Sequence, residues 1–243
     1  MFERIDALLR EVGTRKPLTA GESQRLRDEF LIAFTYNSNA MEGNTLTLQE
    51  TALILNEGIT IAEKPLKDHL EIIGHKEAYF YVEALVKEKV PLSEKVIQTV
   101  HSIVLMDKPQ DRGVYRRVPV RILGAAHTPP EPWAVPVQME QLLVAYAGEM
   151  QTLHPIERAA LFHLRFAGIH PFVDGKGRTG RLLLNLELMQ QGYPAIDIKF
   201  ADRRRYYDSF AAYHRPGGDA EPMVALMAGY VEEALERYCR VLM

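Results

Sequence analysis

The stretch HPFVDGKGRTGR, residues 170–181, places one His, one Asp, three Gly, one Lys and two Arg in twelve positions. The segments on either side, 156–169 (IERAALFHLRFAGI) and 182–189 (LLLNLELM), are apolar nearly all round. Helices of that composition usually lie at the centre of a domain. Buried polar groups are costly unless they are paired. The sequence therefore predicts a polar loop, 170–177, between two core helices. Because its polar groups need partners, we expect this loop to bind a ligand.

The rest of the chain predicts a mainly α-helical domain. Apolar residues recur at helical spacing from residue 2 to 106 and from 136 to 240, which predicts eight or nine helices. Residues 112–137 instead hold β-branched residues broken by Gly and Pro, which predicts a β-hairpin flap. We expect N-terminal helices over 1–60 and a core over 61–243, forming one compact unit.

Composition excludes several classes of protein. The 243 residues are 47% hydrophobic and 25% charged, as in ordinary globular proteins. A net charge of −3 argues against nucleic acid as the main partner. No apolar run approaches the roughly 18 residues of a membrane span, and the charged N-terminus does not resemble a signal peptide. Cys239 is the only cysteine, which fits a reducing compartment, so we expect a cytoplasmic protein; the oligomeric state stays open.

The loop and the helix after it are suited to bind an anion. Gly175 and Gly177 allow the backbone to approach a ligand closely. The next helix is expected to start at about Arg178, and the free N–H groups at a helix N-terminus favour negative charge. Arg178 and Arg181 are three residues apart, so both side chains could reach phosphate oxygens from one face.

Two further loop residues suggest what accompanies the anion. The carboxylate of Asp174 would repel a phosphate unless a cation such as Mg²⁺ lay between them. His170 can exchange a proton near neutral pH. Together they predict a metal-bound polyphosphate beside a general base.

Other interpretations of the same stretch carry less weight. GKGRTG, 175–180, matches the G-x-G-x-x-G dinucleotide fingerprint, and Asp197 lies twenty residues past Gly177. That fingerprint needs a preceding strand, whereas a helical segment and Pro171 precede it here. No Walker A motif occurs. A plain turn between helices with solvated charges remains an alternative.

HPFVDGKGRTGR resembles the signature of the Fic/DOC family, H-P-F-x-[DE]-G-N-G-R-x-x-R. Eleven of twelve positions agree, counting the variable ones, and Lys176 departs from the usual Asn. The similarity extends over roughly 25–230 and includes GVYR at 113–116 and HTPP at 127–130. The resemblance implies a Fic-type helical domain with a small flap.

The resemblance also implies an activity: transfer of AMP from Mg²⁺-ATP to a Ser, Thr or Tyr hydroxyl of a target protein. His170 would be the catalytic general base, and Asp174 would hold Mg²⁺. Lys176 would either serve the anion site or pair with Asp174 and compete with Mg²⁺, which would leave a catalytically weak nucleotide-binding module. The residues implied to contact the nucleotide are Asp174, Gly175, Lys176, Gly177, Arg178, Thr179, Gly180 and Arg181, with Gly124 and His127 of the flap, and Tyr206, Tyr207 and His214.

A second segment, TYNSNAMEGNT at 35–45, contains a further motif. Ser38 and Glu42 are four residues apart and share a helix face, and Gly43 is a helix stop. These residues alone also fit an ordinary helix end with a surface Glu. The segment resembles the Fic inhibitory motif [ST]-x-x-x-E-[GN], in a helix at about 21–43 that precedes the core. The resemblance implies that Glu42 pairs with Arg181 and inhibits, or that it positions a water for AMP removal.

The flap is expected to receive the target protein. Residues near 118–125 are predicted to form a strand with a free edge, to which an extended target segment could add. A hairpin that merely covers the core is the alternative. Hydroxyls of this chain could also be modified.

Overall fold

The computed structural model describes residues 2–15, 18–122 and 127–241, and these ranges contain ten α-helices. The helices are α1 (Glu3–Thr14), α2 (Ala20–Ala40), α3 (Leu48–Glu57), α4 (Leu66–Lys87), α5 (Glu94–Val104), α6 (Val135–Ala147), α7 (Pro155–Ile169), α8 (Lys176–Gln190), α9 (Arg203–His214) and α10 (Glu221–Val241). Short 3₁₀ turns occupy Pro132–Ala134, Glu149–Thr152 and Phe200–Asp202. The prediction of a mainly helical domain is confirmed.

Local signals explain where the helices near the N-terminus begin and end. α2 and α3 each start with a capping box, in which a threonine (Thr19 or Thr47) and the glutamate three residues later satisfy each other's backbone N–H groups. α3 ends at Gly58 with φ 67°, the left-handed conformation that glycine adopts without strain. These ends depend only on neighbouring residues.

The two helices that flank the polar loop form the centre of the molecule. α7 packs along α8, and residues 182–188, nearly the whole segment predicted to lie in the core, are buried. Burial also extends over residues 178–181. α4, α5 and the end of α2 pack on α8, and α6 and α10 pack on α7. α1 lies against α10. The loop between α7 and α8 is therefore held from several sides.

The predicted β-hairpin flap is wrong for the part of it that the structure describes. No strand occurs in 112–122 or 127–137, and Pro132–Ala134 instead forms a 3₁₀ turn that leads into α6. The guanidinium of Arg116 donates to the carbonyls of Val118 and Pro130 and so joins the two arms. Five prolines in these arms lack the N–H that a strand ladder needs. Gly124 lies outside the described residues.

In the described ranges, no helix combines the length and the apolar character that crossing a bilayer requires.

Candidate active site

The loop that joins α7 to α8 is shaped by buried groups. His170 ends α7 with φ 52°, in the left-handed region, and its carbonyl accepts a hydrogen bond from Arg116 Nε at 2.8 Å. The backbone N–H of Arg116 donates to the Pro171 carbonyl at 2.9 Å. Phe172 is fully buried and anchors the loop in the core. The positive φ of His170 is thus held in place by the flap residue Arg116.

His101 of α5 ties the loop to the flap. Its ring stacks on Phe172 with centroids 3.6 Å apart. Nδ1 accepts from the Gly113 N–H at 3.0 Å, so the ring proton is on Nε2, which donates to the Asp174 carbonyl at 2.9 Å. Burial lowers the pKa of His101 to about 4, and a neutral ring fits this bridging role. The ring also explains Gly175, since a Cβ there would lie 3.3 Å from His101 Nε2 and the residue has φ 70°.

His170 lies at the entrance of the loop as a neutral imidazole. Burial, followed by the charges of Lys176 and Arg116, lowers its pKa to about 3. Its Nδ1 is buried and makes no hydrogen bond to any described residue. Anionic phosphates placed among these cations would oppose the lowering. The ring is therefore neutral at pH 7, and its role as the general base stays a prediction.

Asp174 is ionised, and both of its carboxylate oxygens have hydrogen-bond donors. Burial opposes ionisation, but the hydrogen bond from Lys108 Nζ, the charge of Arg178 and the Gly175 N–H lower its pKa to about 2. Lys108 contacts Oδ2, and the Gly175 N–H donates to Oδ1 at 2.6 Å. Within the described residues, Lys176 makes no ion pair with Asp174, so the alternative pairing considered above is not formed. Lys108, which follows α5, takes that position instead.

The site fits a magnesium ion that arrives with a nucleotide. No group of three or more His, Cys, Asp or Glu side chains in the described ranges could hold a metal ion by itself. Mg²⁺ commonly binds through one or two carboxylates and takes its other ligands from phosphates and water. Asp174, an ionised carboxylate next to a helix N-terminus, suits that arrangement.

The side chain of Arg178 is buried and does not lie on the surface of the loop. Its side chain is 1% exposed. Nη1 lies 3.3 Å from Glu71 Oε1 and 3.4 Å from Asn39 Oδ1, and Nη2 lies 3.5 Å from Asp174 Oδ1. Arg178 thus ties α8 to α2 and α4. Its contact with phosphate stays a prediction.

Arg181 and Glu42 form the ion pair that the family resemblance implied. Arg181 Nη2 lies 2.9 Å from Glu42 Oε1. Ser38 completes the contact, because its Oγ accepts from Arg181 Nε at 2.9 Å and its carbonyl accepts from Nη2 at 2.7 Å. The Arg181 side chain is 2% exposed and that of Glu42 is 23% exposed. The end of α2 is therefore fastened to the second turn of α8.

The carboxylate of Glu42 occupies the predicted anion position. A Cβ built on Gly177 would lie only 2.0 Å from Glu42 Oε1, so the carboxylate rests directly on the first turn of α8. Burial raises the pKa of Glu42, but Arg181 and then Lys176 and Arg178 overcome this and lower it. Lys176 is half-buried and also acts on His170. An anion of the protein itself thus stands where a phosphate was expected.

Thr179 and Gly180 pack inside the molecule. Thr179 is fully buried. A Cβ on Gly180 would lie 2.9 Å from Cε1 of His163, which is itself 2% exposed. These two residues let α8 approach α7 closely, and the structure assigns them a packing role.

The residues expected near the nucleoside fall into two groups. His127 Nε2 donates to the Gly168 carbonyl at 2.9 Å, and its ring stacks on His214 at 3.9 Å. Tyr206 is 2% exposed, and its hydroxyl is hydrogen-bonded to His163 Nε2 at 2.6 Å, so it belongs to the core. Tyr207 is 41% exposed and remains open to a ligand.

Three charged residues of the site were missed from the sequence: Lys108, Arg116 and Glu71. Lys108 lies in a segment without a regular repeat, and no spacing singles it out. Arg116 ends the GVYR stretch at 113–116, which belongs to the family resemblance, but no role was predicted for it. Glu71 carried a weak signal, because it falls on the buried face of α4 with His75 and Ala78, where a carboxylate needs a partner.

Comparison with known proteins agrees with this geometry. The family model described as Fic/DOC family matches residues 91–188. A relative from Drosophila yakuba, named protein adenylyltransferase Fic, is 36% identical over 220 residues, which are 90% of this chain and 44% of that protein. The chain thus spans less than half the length of that relative.

Solved structures agree over nearly the whole chain. A Fic domain containing signaling protein from Bacteroides thetaiotaomicron superposes with a TM-score of 0.91 at 30% identity, covering 99% of this chain and 97% of the other. Fic-1 from C. elegans gives a TM-score of 0.85 at 32% identity, covering 98% and 70%. On motif, fold and identity together, the chain belongs to the Fic/DOC family.

Proposed function

We propose that this chain is a protein adenylyltransferase, which transfers AMP from Mg²⁺-ATP to a Ser, Thr or Tyr hydroxyl of a target protein. The observation that carries the proposal is the first turn of α8, where the Glu42 carboxylate lies against Gly177 and pairs with buried Arg181. Lys176 of the same turn acts electrostatically on this carboxylate and on the neutral imidazole of His170. The name of the Drosophila relative supports it.

In this mechanism the chain positions the reactants and handles one proton. The α8 N–H groups of residues 176–178, with Lys176, would bind the phosphates. Mg²⁺ at Asp174 would neutralise phosphate charge. The target hydroxyl oxygen attacks the α-phosphorus, its proton passes to His170, and the bond to the bridging oxygen breaks so that pyrophosphate leaves. Positioning and charge neutralisation dominate such transfers.

The proposal includes autoinhibition by the end of α2. Glu42 holds Arg181 and covers Gly177, so a triphosphate cannot use both while Glu42 is in place. Ser38 strengthens the contact. We therefore place the chain in the class with an N-terminal inhibitory helix and expect weak activity at rest.

The test is AMP incorporation from α-labelled ATP with Mg²⁺, with modification of the chain itself as the readout. Wild type, Glu42→Gly and Glu42→Gly/His170→Ala are compared, with Glu149→Gly as the matched control because Glu149 forms an exposed ion pair with Arg165. Label should be much stronger in Glu42→Gly than in wild type or Glu149→Gly, and absent from the double variant. Equal label in wild type and Glu42→Gly would refute the inhibition, and label in the double variant would refute the role of His170.

Removal of AMP is the second candidate for the same site. The Glu42 carboxylate is ionised and 23% exposed, so it could accept a hydrogen bond from an attacking water. Release of AMP from a modified protein, lost in Glu42→Gln, would support this direction. A site that binds ATP without turnover in any variant would instead favour a nucleotide-binding module weakened by Lys176.

We propose that the target segment docks along 117–122. Among the described residues, no backbone N–H of 117–122 donates a hydrogen bond to another backbone carbonyl. An extended peptide could pair with this free backbone even though the arm is not a strand before binding. Proline substitution at Val120 should weaken target modification more than binding of ATP.

A further inference from the structure

Lys108 stands on the side of Asp174 where the metal is expected. Its ammonium is hydrogen-bonded to Asp174 Oδ2, while the Gly175 N–H and Arg178 engage Oδ1. The two side chains are 34% and 32% exposed, so the pair lies at the mouth of the site. The contact joins residues 66 positions apart, from the turn after α5 to the loop before α8.

The pair is the outer end of a line of alternating charges. Behind Asp174 lies Arg178, and Arg178 faces Glu71, whose Oε1 also lies 3.4 Å from Lys67 Nζ. The inner members are fixed by burial, because the side chains of Arg178 and Glu71 are 1% and 5% exposed. Lys108, in contrast, has a third of its side chain in solvent and a flexible aliphatic stem. It is the one member of the line beside Asp174 that can leave without uncovering a buried charge.

We propose that Lys108 is a resident cation that occupies the metal position of Asp174 and must be displaced when a divalent metal enters with the nucleotide. This inference rests on the proposed function, since it assumes that a Mg²⁺-nucleotide complex binds at Asp174. A dication and an ammonium on one carboxylate oxygen repel each other, so the two occupy it in turn. Lys108 thereby neutralises the charge of the Asp174 carboxylate when no metal is present. It also raises the metal concentration that is needed to fill the site.

The strength of the ion pair between Lys108 and Asp174 can be measured. Ion pairs exposed to this degree contribute modestly, which corresponds to about a two- to fivefold change in a binding constant. Removing Lys108 should therefore increase the coupling between metal and nucleotide by that factor. The coupling is the ratio of the nucleotide Kd without Mg²⁺ to the Kd with Mg²⁺.

The experiment measures binding of a non-hydrolysable ATP analogue, AMPPNP, by calorimetry with Mg²⁺ and with EDTA. All variants carry Glu42→Gly, so that the glutamate does not limit binding. Lys108→Met keeps the length of the side chain and removes its charge. Lys95→Met is the matched control, since Lys95 is an exposed lysine on the neighbouring α5. Asp174→Asn tests where the metal acts.

We expect the ratio to rise about two- to fivefold in Lys108→Met, to stay unchanged in Lys95→Met and to fall towards one in Asp174→Asn. An unchanged or smaller ratio in Lys108→Met would overturn the inference and leave AMP transfer untouched. A ratio that survives Asp174→Asn would also overturn it, because the metal would act elsewhere. Absence of AMPPNP binding in every variant would remove the proposed function together with the inference.

Discussion

Replacing Glu42 by Gln should destabilise the protein while preparing it to bind nucleotide. The substitution keeps the volume of the side chain and removes its charge, which leaves Arg181 buried without its carboxylate. Arg181 retains the hydrogen bonds to Ser38 Oγ and to the Ser38 carbonyl, so it is not fully unpaired. The change therefore isolates the charge of Glu42.

The loss of unfolding free energy in Glu42→Gln lies between two limits. Breaking a fully buried ion pair costs about 3–5 kcal/mol, and an exposed pair contributes about 0.2–1 kcal/mol. Here one side chain is 2% exposed and the other 23% exposed, and Ser38 compensates in part. We expect a loss of about 1–2 kcal/mol in the free energy of unfolding, which corresponds to a fall in Tm of about 2–8 °C at this chain length.

The dependence on pH follows from the direction of the Glu42 pKa. The folded-state pKa is lowered, so the contribution of the pair is fully present above the unfolded value of about 4.3 and is lost as the pH falls through the folded value. The difference between wild type and Glu42→Gln should therefore be the same at pH 7.5 and pH 5.5.

Urea unfolding with and without AMPPNP and Mg²⁺ measures both effects. Saturating ligand adds about 2.7 kcal/mol at a hundredfold excess over its Kd, and Glu42→Gln should gain more from a given concentration than wild type. Glu149→Gln is the control and should change little, because its ion pair is exposed. Equal stability of wild type and Glu42→Gln, or equal gain from the ligand, would refute the reasoning.

Two further outcomes are expected. Because the pKa of His170 is lowered to about 3, kcat/KM for ATP in Glu42→Gly should not fall between pH 8 and pH 6; an acid limb near pH 6.5 would contradict the environment assigned to His170. Gly180→Ala should lower the free energy of unfolding by about 1–3 kcal/mol, because its Cβ would crowd buried His163, whereas Gly229→Ala, with open space at its Cβ, should be neutral or stabilising in urea unfolding.

The amino-acid sequence was sufficient for the parts of this protein that depend on neighbouring residues. Apolar periodicity predicted the helices, and two apolar segments predicted the burial of α7 and α8. The contact between Glu42 and Arg181 spans 139 positions, yet it was predicted because each partner lies in a short motif with a known counterpart. The roles given to the remaining site residues stay predictions.

The packing of distant segments determined the features that the sequence did not predict. The flap segment has a strand-like composition, but Arg116 joins its arms through side-chain contacts, and prolines remove the donors that a strand would need. Arg178 has the spacing of a phosphate ligand, yet Glu71 from α4 encloses it. Lys108 reaches Asp174 only because α5 packs on α8. Periodicity tells which face of a helix is buried, whereas the identity of the partner across that face depends on how distant helices pack together, and only the folded chain supplies that.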